Sequence, residues 1–227
     1  MVAMRLVKNS ERLVSIPDGD VKLEGALGVP QGAGGVVLFA HGSGSSRHSP
    51  RNNFVARFLR SAGLATLLID LLTREEDMDY ETRFDIPLLA RRLRAATGWL
   101  MDDTETAGLR VGYFGASTGS AAALVASVAS GGEGGNIGAI VSRGGRPDLA
   151  MEALPEVTAP TLLIVGGLDG AVIEMNRTAF DMLKAEKELV IIPGATHLFE
   201  EPGALEQVAD NAARWFNKYL KQSAAQA

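Results

Sequence analysis

The sequence is as informative for what it lacks as for what it contains. Its 227 residues include no cysteine, which excludes disulfides, thiolate metal sites and cysteine nucleophiles. No run approaches the roughly 18 apolar residues of a membrane span, and residues 1–12 show no apolar signal-peptide core. The net charge of −5 disfavours nucleic acid and anionic membranes as partners, because both select clustered lysine and arginine. We therefore predict a cytoplasmic protein that acts on a small molecule.

The composition is that of an ordinary globular protein. Hydrophobic residues make up 46% of the chain and charged residues 22%. A chain of this length can bury a large core without cross-links, and no internal repeat or low-complexity segment divides it. We predict one domain over residues 1–227, present as a monomer or homodimer, with a flexible tail at 222–227.

Short apolar runs alternate along the chain with segments of helical periodicity. Each run is bounded by glycine, proline or polar residues, a pattern typical of strands buried on both faces of a parallel sheet. Two earlier extended segments flank Pro17-Asp18-Gly19-Asp20 and predict a β-hairpin over about residues 12–29. The other predicted strands are 35–40, 64–70, 109–114, 137–142, 161–165 and 188–192, and the predicted helices are 53–62, 86–100, 120–130, 148–153, 176–186 and 204–220.

This alternation predicts an α/β fold with a mostly parallel sheet and helices on both faces. In such sheets, binding and catalytic sites form at the carboxyl ends of the strands. Only residues 143–147 separate one predicted strand from the helix after it, at a position where lid domains are often inserted. We therefore expect an open site without a lid domain.

A possible nucleophile follows the strand at 109–114. The stretch Gly115-Ala116-Ser117-Thr118-Gly119 matches the pattern G-x-S-x-G, which alone is weak in a chain with 26 glycines. Its context is more specific, because a strand precedes it and a helix rich in small residues follows it, as a strained nucleophile turn requires. The alternative is that Ser117 is simply a small residue in a strand-to-helix turn.

A serine nucleophile needs a base and a carboxylate that orients the base. For this topology the chain order is serine, acid, histidine. His197 follows the last predicted strand and is the only histidine after Ser117, while Asp169 follows the strand before it. We predict the triad Ser117, Asp169 and His197, with Asp70 as the alternative acid because it also ends a strand.

Backbone amides are the expected donors to the oxyanion of a tetrahedral intermediate. One is predicted at Thr118, directly after the nucleophile, and the other in the glycine-rich loop after the strand at 35–40. We assign the second donor to Ser43, with Gly42 or Gly44 as alternatives one residue away. His41, at the start of this loop, is expected to brace it.

An arginine at another strand end is a candidate for substrate binding. Arg143 lies beside the expected site and is suited to hold a substrate carboxylate. The alternative is a structural salt bridge to Asp148 or Glu152, for Arg143 or for its neighbour Arg146. No spacing of histidine and acidic residues resembles a metal site, and residues 41–46 lack a phosphate-loop pattern, so we predict no metal and no cofactor.

The combination resembles the α/β-hydrolase family and, within it, the dienelactone-hydrolase-like branch. The resemblance covers about residues 12–220 and is carried by the loop at 41–44, the motif at 115–119, Asp169 and the segment at 194–199. It implies an eight-stranded sheet whose second strand is antiparallel, and ester or acyl hydrolysis without a cofactor. Dienelactone hydrolases use a cysteine nucleophile, whereas Ser117 occupies that position here.

The resulting hypothesis is a serine hydrolase of small carboxylic esters or lactones that works through an acyl-enzyme. Two alternatives stay open. The same triad serves acyltransferases and peptidases, because water and other nucleophiles compete for one acyl-enzyme. A non-catalytic protein of the same fold would instead bind a small ligand in the same cleft.

Overall fold

A computed structural model describes residues 11–128 and 137–221, which form an eight-stranded sheet with five α-helices packed on it. The order of strands across the sheet is β1-β2-β4-β3-β5-β6-β7-β8. The strands are β1 Glu11–Asp18, β2 Val21–Gly28, β3 Val36–Ala40, β4 Ala65–Ile69, β5 Val111–Ala116, β6 Ala139–Arg143, β7 Thr161–Gly166 and β8 Lys187–Ile192. The helices are α1 Pro50–Ser61, α2 Ile86–Asp102, α3 Thr118–Ser127, α4 Gly170–Met182 and α5 Ala204–Leu220.

The second strand runs against its neighbours. β1 and β2 form an antiparallel hairpin that turns at Gly19, whose φ of 60° suits glycine. β2 also pairs antiparallel with β4, whereas every later pair of neighbouring strands is parallel. The predicted hairpin and the mostly parallel sheet are therefore confirmed.

Both faces of the central strands are buried, which explains their continuous apolar character. In β3, Val37 and Phe39 belong to the core formed with α1 and α5. Leu38 and Ala40, which point the other way, belong to the core formed with α2, α3 and α4. Alternation of side chains along each strand thus divides the interior into two apolar layers.

Two helix predictions differ from the structure. The segment predicted as a helix at 148–153 contains no α-helix; one 3-10 turn, Pro147–Ala150, overlaps it and a second, Leu154–Glu156, follows it. The backbone hydrogen bonds of this segment span three residues, as from the Ala153 N–H to the Ala150 carbonyl over 2.9 Å, which is the 3-10 pattern. Pro155 has no N–H and so cannot make the bond to the Met151 carbonyl that an α-helix extended through it would need. The helix predicted at 176–186 is α4, which starts directly after Asp169. Its first two residues are exposed and add nothing to the apolar periodicity.

Other boundaries agree to within a few residues, and α5 agrees at both ends. Residues 129–130 of the predicted third helix and the tail at 222–227 lie outside the described residues. Within the described ranges, no helix combines the length and the apolar character that crossing a bilayer demands.

Candidate active site

The site forms where the order of the strands reverses. From β3 the chain crosses to β4 on one side of the sheet, and from β5 it crosses to β6 on the other side. Because β3 and β5 are hydrogen-bonded neighbours with Ala40 opposite Gly115, the loops that leave their carboxyl ends lie side by side. Crevices at such reversals are where open α/β sheets bind ligands.

Ser117 occupies a strained turn in this crevice. Its φ of 50° and ψ of −121° lie in a region that residues with a Cβ rarely adopt. Three backbone hydrogen bonds hold it there. The Ser117 N–H donates to the Arg143 carbonyl over 3.2 Å, and the Ser117 carbonyl accepts from Ser120 over 3.0 Å and from Arg146 over 3.1 Å. The turn therefore links the end of β5 to the end of β6.

Two glycines make this turn possible. A Cβ on Gly119 would lie 2.2 Å from the Ala40 carbonyl oxygen, and a Cβ on Gly115 would lie 2.5 Å from the Ser120 Cα. Both distances are far below van der Waals contact with backbone atoms that cannot move away. The motif G-x-S-x-G thus reflects the close approach of α3 to β3 and β5.

The acid and the base of the predicted triad are in direct contact. His197 Nδ1 lies 2.6 Å from Asp169 Oδ2. Neighbouring backbone bonds tie the two loops together, because the Leu168 N–H donates to the Ala195 carbonyl over 2.9 Å. Since Nδ1 faces the carboxylate, Nε2 is the nitrogen left for proton transfer. The alternative acid, Asp70, instead accepts from the Arg47 backbone N–H over 2.6 Å and pairs with the Arg47 guanidinium.

His197 follows β8, but its ring reaches the loop after β6, the strand next to the one that ends at Ser117. Its ring packs on Gly144, where an added Cβ would be 3.4 Å from His197 Cε1, and Gly144 follows the Arg143 whose carbonyl holds Ser117. The imidazole side chain is 39% exposed and thus open to the crevice. No hydrogen bond within the described ranges joins the Ser117 hydroxyl to His197. Catalytic hydrogen bonds often tighten only when substrate binds.

The structure also brings Ser43 and Thr118 together, in an arrangement that the sequence did not reveal. The Ser43 N–H donates to the Thr118 side-chain oxygen over 2.8 Å, so this amide already has an acceptor. Thr118 is the first residue of α3, and in the described part of the chain no protein group accepts its backbone N–H. Gly42 lies against Ser117, with 3.1 Å between a Cβ placed there and the Ser117 Cβ.

His41 braces the loop as predicted. Its ring is buried, Nε2 accepts from the Leu71 N–H over 3.0 Å, and Nδ1 lies 2.9 Å from the Gly42 carbonyl oxygen. These contacts assign the proton to Nδ1 and require a neutral ring. Burial lowers the pKa of His41, partly opposed by the hydrogen bond to Gly42 and by nearby carboxylates.

Arg143 and Arg146 have different surroundings. Arg146 makes two hydrogen bonds to Asp148, of 2.8 and 2.7 Å, which is the structural salt bridge considered above. Arg143 is only 7% exposed. Its guanidinium lies 3.3 Å from the Asn52 side-chain oxygen and 5.8 Å from the centre of the Phe199 ring, and no carboxylate of the described residues pairs with it.

Among the described residues, Arg143 therefore carries a buried charge without a counter-ion. Burial, and then repulsion by Arg51, lowers its pKa to about 10, which leaves it charged at neutral pH. In the part of the chain that the structure describes, the Arg143 Nε has no hydrogen-bond partner. A site with this character favours an anion.

Two cavities among the described residues add no second cluster of predicted site residues. A space of about 10 Å³ behind the loop at 41–44, lined in part by Thr118 and Leu89, is too small for a substrate group. A groove of about 610 Å³ between α2, α3 and the 3-10 turns contains none of the predicted site residues. Within residues 11–128 and 137–221, no three histidine and acidic side chains are grouped as metal ligands.

The sheet order, with helices on both faces, is that of an α/β hydrolase. A model described as the dienelactone hydrolase family matches residues 23–223, and the chain belongs to this family of hydrolytic enzymes. A crystal structure of dienelactone hydrolase from Anabaena variabilis is 61% identical, covers 93% of this chain and 99% of its own, and superposes with a TM-score of 0.88. Est1E from Butyrivibrio proteoclasticus, 17% identical with a TM-score of 0.76 over 91% of this chain and 98% of its own, shares the fold.

Curated relatives are longer than this chain. Two Mycobacterium tuberculosis proteins that carry the name "Putative phosphoribosyl transferase" are 56% identical over 207 residues. The match covers 91% of this chain but 46% of each relative, so the chain spans about half their length.

Proposed function

We propose that the protein is a serine hydrolase that cleaves small carboxylic esters or lactones through an acyl-enzyme. Ser117 attacks the acyl carbon while His197 Nε2 takes the serine proton and later returns it to the leaving oxygen. Asp169 orients the imidazole and stabilises its cation. Water, activated by the same histidine, then releases the acid.

One observation carries this proposal most directly. Ser117 is held in a strained turn at the end of β5, one strand away from the loop that His197 packs on. Such strain has a cost of roughly 1–3 kcal/mol and persists where the surrounding structure imposes it, which is characteristic of functional positions. A serine that merely linked a strand to a helix would not need this conformation, and the same point argues against a non-catalytic binding protein.

The substrate is proposed to be small and to carry an anionic group. The connection between β6 and β7 consists of short turns, without a lid domain, so the site is open to solvent. The uncompensated charge of Arg143 at the end of β6 favours a carboxylate on the substrate. The name of the Anabaena relative mentions a lactone, and we propose for this chain a lactone or ester that carries a carboxylate for Arg143 to bind.

Hydrolysis is favoured over acyl transfer, because an open site gives water free access to the acyl-enzyme. Phosphoribosyl transfer is not proposed. The name belongs to proteins about twice as long, and the hydrolase family model alone accounts for residues 23–223 of this chain.

The test is active-site labelling with a fluorophosphonate, mapped by mass spectrometry. We expect one adduct, on Ser117, and none in Ser117→Ala, whereas Ser45→Ala, a serine in the neighbouring loop, should label normally. Hydrolysis of p-nitrophenyl acetate should fall at least about 10³-fold in Ser117→Ala and in His197→Ala. A folded protein without an adduct on Ser117, or with activity that survives His197→Ala, would contradict the proposal.

A further inference from the structure

We propose that the side-chain hydroxyl of Thr118 is itself an oxyanion donor, and that the Ser43 amide acts through it. This inference rests on the proposed function. The sequence predicted two backbone donors, the amides of Ser43 and Thr118. We now assign both donors to Thr118, its amide and its hydroxyl, and Ser43 positions that hydroxyl.

The hydrogen bond between the two predicted donors is the starting observation. The Ser43 N–H carries one proton, and that proton is directed at Thr118 Oγ1 over 2.8 Å. It is therefore not free for a substrate oxygen unless the threonine side chain moves. Thr118 is 2% exposed and lies at the first position of α3, where packing restricts such movement.

The hydroxyl that accepts this bond has a proton to give. Thr118 Oγ1 receives from Ser43, and no other side-chain or backbone oxygen of the described residues accepts its O–H. Accepting a hydrogen bond polarises the hydroxyl and strengthens it as a donor. The Thr118 backbone N–H, also without a protein acceptor in the described part, lies beside it at the N-terminus of a helix, where the helix dipole favours negative charge.

The chemistry of the acylation step shows where these donors act. Ser117 Oγ bonds to the acyl carbon, its proton passes to His197 Nε2, and the carbonyl electron pair moves onto the oxygen. That oxygen accepts from the Thr118 N–H and from the Thr118 hydroxyl. When the leaving oxygen departs with the proton from His197, the electron pair returns and the carbonyl forms again. A hydroxyl rotor can follow the oxygen as the carbon becomes tetrahedral.

A rival reading of the same contact makes the opposite prediction. If Thr118 Oγ1 only fills the place of the oxyanion and must swing away, the hydroxyl slows the reaction and its removal frees the Ser43 amide. Thr118→Val, which keeps the shape and removes the hydroxyl, separates the two. Donation predicts a slower variant, whereas obstruction predicts a faster one.

We expect kcat for p-nitrophenyl acetate to fall about 10²-fold in Thr118→Val, with KM little changed, because the lost contact forms only in the transition state. The affinity for a trifluoromethyl ketone, which forms a tetrahedral adduct, should fall by a similar factor. Thr118→Ser restores the hydroxyl and should recover most of the rate. Thr161→Val is the control. It removes a buried hydroxyl that donates to the Ala159 carbonyl over 2.9 Å at the start of β7, at the end of the strands away from the site, and should leave kcat unchanged.

A Thr118→Val rate equal to or above that of the wild type would overturn the inference. So would a Thr118→Ser variant as slow as Thr118→Val, because the effect would then follow packing and not the hydroxyl. Failure of the proposed function has a different signature, namely activity that survives Ser117→Ala. If Ser117→Ala is inactive and Thr118→Val is not impaired, only this inference fails.

Discussion

Replacing Ser117 by glycine should stabilise the protein while abolishing its activity. The serine Cβ is what makes a φ of 50° with a ψ of −121° unfavourable, at a cost of about 1–3 kcal/mol. Glycine removes this strain but loses more backbone freedom on folding, which offsets about 0.5–1 kcal/mol. The net gain is about 1 kcal/mol, and for a chain of this size that raises Tm by about 2–4 °C.

Ser117→Ala is the matched control, because alanine also lacks the hydroxyl but keeps the Cβ and hence the strain. Thermal unfolding followed by circular dichroism should place Ser117→Gly above Ser117→Ala, with both variants inactive. Ser61→Gly, at the end of α1, should instead lower stability by about 0.5–1 kcal/mol, because its backbone is helical and unstrained. Equal Tm values for the glycine and alanine variants at position 117 would refute the argument from strain.

Two further predictions concern buried ionisable groups. Because burial lowers the pKa of His41, the neutral ring stabilises the fold fully above about pH 6.5, and this contribution is lost as pH falls towards the folded-state pKa. The decline in Tm between pH 8 and 5 should therefore be shallower in His41→Gln than in the wild type. The exposed control His48→Gln should decline like the wild type. Parallel Tm curves for His41→Gln and the wild type would contradict this prediction. Arg143→Met should raise KM about 10- to 100-fold for esters that also carry a free carboxylate, but not for neutral esters. Arg146→Gln is the control. An equal effect of Arg143→Met on both ester classes would show that Arg143 does not bind the substrate carboxylate.

Much of the fold could be predicted because its signals are local. Strands buried on both faces appear as short apolar runs, and the turn at Ser117 is constrained by the two glycines that flank it. The chain order of Asp169 and His197 then follows from the order of the strands. The helix predicted at 148–153 shows the limit of this approach, because so short a segment does not distinguish an α-helix from the 3-10 turns that the structure contains there.

The contacts within the site could not be predicted, because they depend on side chains from distant parts of the chain. Ser43 and Thr118 are 75 residues apart, and the bond between them depends on a single rotamer. Arg143 and Asn52 are 91 residues apart, and the burial of that guanidinium depends on how Phe199 closes over it. Sequence patterns place residues at the same edge of a sheet but do not determine which polar atoms meet there.

The serine at position 117 gives the Asp169–His197 contact its significance. A cysteine can act as a thiolate once its own pKa is lowered, whereas a serine hydroxyl remains a weak nucleophile until a base removes its proton during the attack. Under the proposed function, the 2.6 Å contact between Asp169 Oδ2 and His197 Nδ1 orients the base that such an attack needs. In the proposed mechanism, the negative charge that develops during the attack passes to the substrate oxygen, where the Thr118 donors would stabilise it. The proposed serine mechanism therefore depends on both His197 as the proton acceptor and the Thr118 groups as oxyanion donors.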